Sequence, residues 1–467
     1  MVALIPAAPA AVKAPVGPTL PPPRLDRPAR EVVRASVLGA WARTDMLFCS
    51  VDSDAAFQTQ PDPLRNPLVF YLGHPAAFYV NKLVMAGLLA TGGVEPALEA
   101  LFERGVDPAH ADDLALTAYP RTEAVWRYRD RVRAVVLGVI DRVSWDGEIG
   151  PDDPRWALLM ALEHERIHFE TSSVLLRQLP VEAVRRPPGW RYAAWDAPAP
   201  VDAGALVPIG GGRVTLGRPA WARTFGWDNE HGRLDVEVAP FEAGRDLVTN
   251  GELLAFVRAG GYAHDALWSA EGRAWRDARG VTAPRFWVPR ATGYAYRAMF
   301  DELPLPLAWP AEVTAHEAEA YARWASASRG VPGMRLPTEA EHAQLAAGAP
   351  LDEHGDVVAS EAYNLCLRLG SPSPVGSFGG ATSRWGCRDV RGNVWQWLAD
   401  DFAPLPGFAT HPYYPDFSTP YFGSDHGMMA GGSWASTGGS ASRWYRLWFR
   451  RFFHQHAGFR LVRSVGA

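Results

Sequence analysis

The sequence predicts a two-part chain, an α-helical bundle followed by an irregular α+β domain, and three observations carry that prediction. Residues 31 to 180 place apolar side chains three and four apart over several long stretches, the period of amphipathic helices. A run dense in Pro and Gly, PVEAVRRPPGWRYAAWDAPAPVDAGALVPIGGG, then breaks the pattern. Beyond it, short apolar strands alternate with Gly/Trp loops, and most of the 19 Trp lie after residue 186. Such density marks a domain held by large aromatic anchors more than by long elements.

Taken in order, residues 1–30 are a Pro/Ala-rich lead-in without the continuous apolar core of a signal peptide, expected to be disordered. Residues 31–185 form the bundle. Its helices are read from REVVRASVLGAWARTDMLFCSV, AAFYVNKLVMAGLLA, TEAVWRYRDRVRAVVLGVIDRV and DPRWALLMALEHERIHFETSSVLLRQL. The last starts at Asp153 and Pro154 and stops before Pro180. Four such helices make a four-helix bundle whose inward side chains can carry a metal. Residues 186–205 are a linker, and residues 206–467 the second domain. There GRVTLGR and RLDVEVAPF read as strands, NGELLAFVRAGG and TAHEAEAYARWASASRG as helices.

Composition excludes several classes of function. A net charge of −5 gives no electrostatic reason to bind nucleic acid or an anionic membrane. Three cysteines, Cys49, Cys366 and Cys387, cannot build a disulfide framework, so a reducing cytoplasm is expected. No run of 18 or more apolar residues is present.

The chemistry is concentrated in ALEHERIHFETSS, residues 161–173. His164 and His168 are four apart, so both rings leave one face of a helix one turn apart, a common two-point grip on a metal. The string is also HExxH, the zinc-peptidase signature with Glu165 as general base. A third ligand is offered by His74, one residue before Pro75 and read as lying at the opening of a helix. Three imidazoles with open positions suit Fe(II), Zn or Cu. Spacing alone leaves Glu165 as base, as support for a ligand, or as a solvated carboxylate, and leaves Glu170 as a carboxylate near the ligands. A zinc hydrolase and a non-catalytic scaffold with a structural metal stay open at this point.

Further runs narrow the field. LGHPAAFYVNKL and EHERIHFETSSVLLRQLP resemble the metal-binding, DinB-like bundle of the ergothioneine/ovothiol family of non-heme iron sulfoxide synthases. FGWDNEHG, LVTNGELLAFVRAGGY, MRLPTEAEH, DVRGNVWQWLADDFAPLPGF, HPYYPDFSTPYF, GGSWAS and FFHQHAGFRL resemble that family's formylglycine-generating-enzyme-like (C-type-lectin-like) domain. HPYYPDFSTP and FFHQHAGFR are most similar to the ovothiol-type, 5-histidylcysteine branch.

The resemblance implies Fe(II) on His74, His164 and His168. It implies O2-dependent joining of a cysteine-type thiol to the imidazole ring of histidine as a C–S bond and sulfoxide. Small molecules are then the partners, with no nucleic acid or membrane. An active-site tyrosine maps to Tyr413 or Tyr414. Carboxylate-bearing substrates imply arginine clamps, with Arg450 and Arg451 as first candidates and Arg121 for the sulfur donor. GNVWQW, with Asn393 and Trp395, is read as packing.

Two departures from the ovothiol pattern stand out. The chain has no methyltransferase segment after GFRL, so methylation is expected from a separate methyltransferase. Tyr421 stands where that branch has Cys, placing a phenol near the active-site loop. Both departures fit a selenium-donor relative of the selenoneine type, which would join a selenosugar to histidine or hercynine (trimethylhistidine).

Overall fold

The computed structural model describes residues 19–103, 114, 117–352, 355 and 360–465. It divides into two compact units, residues 1–190 and 191–467. The lead-in up to residue 18 lies outside the described residues. Its remainder, residues 19–29, has no helix or strand, yet Pro22 and Pro23 are buried and the Leu25 carbonyl accepts from the Ile149 N–H.

The first unit carries helices α1 (Arg30–Phe48), α2 (Asp54–Phe57), α3 (Leu68–Met85), α4 (Pro96–Phe102), α5 (Thr122–Arg142) and α6 (Trp156–Arg177). Helices α1 and α5 are amphipathic: α5 buries Val125, Tyr128, Val132, Val136, Val139 and Ile140, one stripe at helical spacing. Helices α3 and α6 are buried around nearly their whole circumference, including the charged Glu163, Arg166 and Arg177. They pack on each other, with α5 against α3 and α1 against α6. The short α2 has a positioning role, because its Asp54 carboxylate accepts from the backbone N–H and hydroxyl of Thr122 at the start of α5.

Two helix starts differ from the sequence reading. Helix α3 begins at Leu68, so His74 lies in its second turn and Pro75 inside it. The missing Pro75 N–H costs roughly 3 kcal/mol in an isolated helix, which burial of residues 68–80 offsets. Helix α6 begins at Trp156, after Asp153 has capped the Arg155 N–H at 2.8 Å.

Among the described residues, the second unit holds four small sheets. Strands β1 (Leu206–Ile209), β4 (Phe241–Gly244) and β12 (Val462–Ser464) form one, and β2 (Gly212–Leu216) pairs with β3 (Leu234–Val238). A third comprises β5 (Trp287–Arg290), β6 (Gly293–Arg297) and β7 (Glu302–Pro304). The largest runs in the order β10 (Leu447–Arg450), β9 (Gly423–Ala430), β8 (Trp395–Phe402), β11 (Ala457–Gly458). Helices are α7 (Asn250–Arg258), α8 (Ala270–Arg279), α9 (Ala315–Ser328) and α10 (Glu339–Leu345). The sequence reading found α7 and α9 and missed the polar α8 and α10.

Aromatic anchors hold the loops. The indole N–H groups of Trp309, Trp397 and Trp385 donate to the carbonyls of Ala194, Val313 and Gln344, so each ring packs apolar and still satisfies its one donor. Asn393 clamps the Ser373 backbone through both its amide oxygen and nitrogen. The fully buried Arg460 donates to the carbonyls of Gly244, Arg245 and Arg388. No helix among the described residues is long and apolar enough to cross a membrane.

Candidate metal centre

Helices α3 and α6 bring His74, His164 and His168 together, all buried, with one ligand atom from each within 4.8 Å of the others. Ring centroids are 4.3 Å apart for His164 and His168, and 4.9 and 4.5 Å respectively from these to His74.

Each ring has an aromatic backing that limits its rotation. Phe78 stacks on His164 at 3.6 Å and 7°, Phe70 stacks on His74 at 4.9 Å, and Tyr71 lies 6.3 Å from His168. His74 is fixed further by its Nδ1, 2.6 Å from the carbonyl oxygen of Phe102 at the end of α4. A carbonyl only accepts, so Nδ1 carries the proton and Nε2 presents its lone pair, the usual arrangement of a metal-binding imidazole. Among the described residues, His74 Nε2 and His168 Nδ1 have no hydrogen-bond partner although buried. Burial also lowers all three imidazole pKa values, His74 to about 4 against the opposing pull of the Phe102 carbonyl. Neutral rings with idle buried nitrogens fit a cation that takes imidazole donors.

Glu165 lies on another face of α6. It is fully buried, and its Oε1 is 3.4 Å from Nη2 of Arg129, which also pairs with Asp45 at 2.9 Å. Arg129 additionally donates to the Leu72 carbonyl and packs on the Trp41 ring. Glu165 thus balances a guanidinium inside the bundle and does not serve as a metal-side base. That removes the zinc-peptidase reading of HExxH. Glu170, two residues past His168, is also buried.

In the second unit, Tyr421 stacks on Trp448 at 4.1 Å and meets His426 edge-on at 5.4 Å. Arg450 on β10 stands opposite His426 on β9. Tyr414 packs on Phe417 and Trp227, and burial beside Tyr421, Asp416 and Asp228 pushes its phenol pKa well up. Three predicted residues, Tyr414, Tyr421 and Arg450, therefore share one neighbourhood. Tyr413 instead packs against His411. Arg451 is held by Asp401 at 2.6 Å and Glu319 at 3.7 Å. Arg121 is exposed at the residue preceding α5.

Sequence reasoning missed Arg129 and Phe102. Arg129 meets Glu165 only through the packing of α5 on α6, and the Phe102 contact is a backbone carbonyl, which has no residue signature.

Comparison with known proteins matches the same two units. The DinB superfamily model matches residues 37–172, and the sulfatase-modifying factor enzyme 1-like domain model matches residues 194–465. A protein named hercynine oxygenase from Mycolicibacterium smegmatis is 32% identical over 88% of this chain and 93% of its own length. Its namesake from Mycolicibacterium thermoresistibile is 33% identical over 88% and 90%. Ergothioneine biosynthesis protein 1 of Neurospora crassa is 23% identical, covering 91% of this chain and 57% of its own length. These likenesses support the broad family and not the ovothiol branch in particular. With a DinB-type bundle carrying three buried histidines and a sulfatase-modifying-factor-like domain following it in sequence, the chain belongs to the hercynine oxygenase family of non-heme iron enzymes.

Proposed function

We propose that the chain joins a cysteine-type thiol to the imidazole ring of hercynine, using O2 and Fe(II) and forming a C–S bond and a sulfoxide. The observation that carries this reading is the three-histidine cluster in a chain alike, over most of its length, to proteins named hercynine oxygenase. The stoichiometry closes. The thiol S–H and one ring C–H are broken, C–S and S–O bonds form, and the second oxygen of O2 leaves with both hydrogens as water.

His74, His164 and His168 hold the metal, and bound Fe(II) supplies the one-electron chemistry that O2 needs to react with a thiol and a ring. The chain's own contribution is placement. The Phe102 carbonyl and the flanking aromatic rings fix the imidazoles, and their burial excludes stray water. Tyr413 or Tyr414 supplies a proton or hydrogen atom. Tyr414 packs against Phe417 and Trp227 beside Tyr421, which supports it as the better placed of the two. Arg450 and Arg451 are the candidate carboxylate clamps, and Arg451 also meets Asp401 and Glu319. Glu170 and Arg121 are lesser candidates for substrate contact.

Tyr421 supports a second reading, a selenium donor, since its phenol stacks on Trp448 where the ovothiol branch has a thiol. Histidine in place of hercynine is the corresponding variation on the ring side.

The test is anaerobic Fe(II) loading, then O2 with paired substrates and products read by mass spectrometry. Histidine and hercynine are each offered with cysteine and with a selenosugar. The expected product is the hercynine–cysteine sulfoxide. Product only with the selenosugar selects the second reading, and no product from any pair with iron bound refutes both. Single Tyr413→Phe and Tyr414→Phe variants are expected to differ, with Tyr414→Phe diverting turnover toward simple thiol oxidation. Equal, near-wild-type coupling in both removes the tyrosine role.

A further inference from the structure

The turn leading into β8 is held in a conformation that side chains seldom adopt. Asp389, Gly392 and Asn393 have φ of 49°, 68° and 66°. Buried hydrogen bonds over-determine it, as such strain requires. The Asp389 carboxylate accepts from the Gly376 N–H at 2.6 Å, and its carbonyl accepts from Gln396 at 3.1 Å. Arg391, in the middle of this turn, is therefore presented from a rigid support.

A cavity of about 70 Å³ lies against Arg391, with Glu339, His342, Arg443, Trp444 and Arg446 among its walls. One water-sized guest needs roughly 10–15 Å³, so the space suits a few waters or one small polyatomic ion.

Among the described residues, no acidic side chain pairs with Arg391. Arg391 is 8% exposed, and its Nε and Nη1 have no hydrogen-bond partner among the described residues. Burial lowers its pKa to about 10, and the cation Arg443 lowers it further. Glu339 does not compensate, because both its oxygens bind Arg446 at 2.7 and 3.0 Å. Arg446 is itself fully engaged, donating also to the carbonyls of Asn229 and Ala403. His342 adds a buried Nε2 without a partner among the described residues. Its ring is held neutral, with a pKa of about 3, by burial and by Arg391 and Arg460, so it can accept from a ligand hydroxyl. A buried guanidinium with idle donors is strongly disfavoured unless a counter-charge meets it.

We propose that this cavity binds a small oxyanion, the carboxylate or phosphate group of a small molecule, through charge-assisted hydrogen bonds from Arg391. The site belongs to the second unit and is lined by none of the residues assigned to the coupling reaction.

The experiment is thermal unfolding of the full-length, iron-loaded chain, titrated with acetate and with inorganic phosphate at constant ionic strength set by chloride. A saturable rise in Tm with at least one of them is expected. Arg391→Gln should weaken that response by at least about tenfold, with Arg391→Lys between the two. In chloride alone Arg391→Gln should unfold no earlier than the wild type, since it removes an uncompensated buried charge. A second variant works independently of that one: Ala343→Asp puts a carboxylate on the cavity wall and should remove the response. A response to acetate alone identifies a carboxylate ligand, and to phosphate alone a phosphate. No saturable rise in the wild type, or an undiminished rise in Arg391→Gln or Ala343→Asp, overturns the proposal.

Discussion

The His164/His168 face of α6 and the Glu165 face, about 100° around the same helix, answer burial in opposite ways. On the first face, His168 Nδ1 and the facing His74 Nε2 have no hydrogen-bond partner among the described residues, and the imidazoles are kept neutral. On the second, the buried carboxylate sets Oε1 against the Arg129 guanidinium, itself shared with Asp45, and only its Oε2 has no hydrogen-bond partner among the described residues. Idle nitrogens have use only when a cation arrives, whereas a balanced ion network holds helices together. One five-residue motif therefore splits into a metal grip and a structural ion pair, and its resemblance to a peptidase motif ends at the two histidines.

The contrast breaks most sharply at the ligands. His164→Ala or His168→Ala should lower coupling by at least about a hundredfold, more than loss of a supporting residue usually does. Bound iron, measured by metal analysis, should fall to background while circular dichroism stays unchanged, since Ala is a good helix former.

On the opposite face the expected damage is to stability. Arg129→Met leaves Glu165 without its cation and Asp45 with Arg133 alone. Denaturant unfolding should show a loss of about 3 kcal/mol, the lower end for a broken buried pair because Asp45 keeps some solvent contact.

Between these extremes lies Gly73. A Cβ there would sit 2.5 Å from the Phe102 ring, so Gly73→Ala must push Phe102 aside and with it the carbonyl that orients His74. Iron affinity should drop by about 10–100-fold, as for loss of other groups that orient a ligand, with little change in global unfolding.

Asp228 in the second unit sharpens the comparison from another side, as a buried carboxyl with no guanidinium beside it among the described residues. Burial raises its pKa to about 6, although the Ser418 hydroxyl donates to it at 2.5 Å. Between pH 4 and 6 the folded chain therefore keeps a proton that the unfolded chain releases. Its contribution to stability falls as pH rises through that window and levels off above it, by roughly 1–2 kcal/mol. Asp228→Asn should flatten that part of the stability–pH curve.

How much of this was legible in the sequence depends on what kind of contact each feature needs. The bundle, the three histidines and the Trp-anchored second domain were legible, because helical spacing and co-linear motifs are local signals. Helix α10 could have been found from Thr338 and Glu341, which form a capping box. Helix α8 could have been found from Ser269 at its start and Gly280 in a left-handed conformation at its end. Both were missed because their polar sequences carry a weak apolar stripe. The role of Glu165 was not legible, since its partner lies 36 residues away on α5 and only helix packing brings the two together. The start of α3 was misread because Pro75 normally marks a boundary, and burial overrode it.

The most direct measurement is the coupling rate per bound iron of Glu165→Gln beside the wild type. A balanced structural carboxylate away from the metal predicts iron content unchanged and a rate within about threefold of wild type, alongside a lower Tm from the weakened pair with Arg129. A loss of coupling as deep as that of His164→Ala, in a folded and iron-loaded variant, would contradict the division of α6 into a metal face and a structural one.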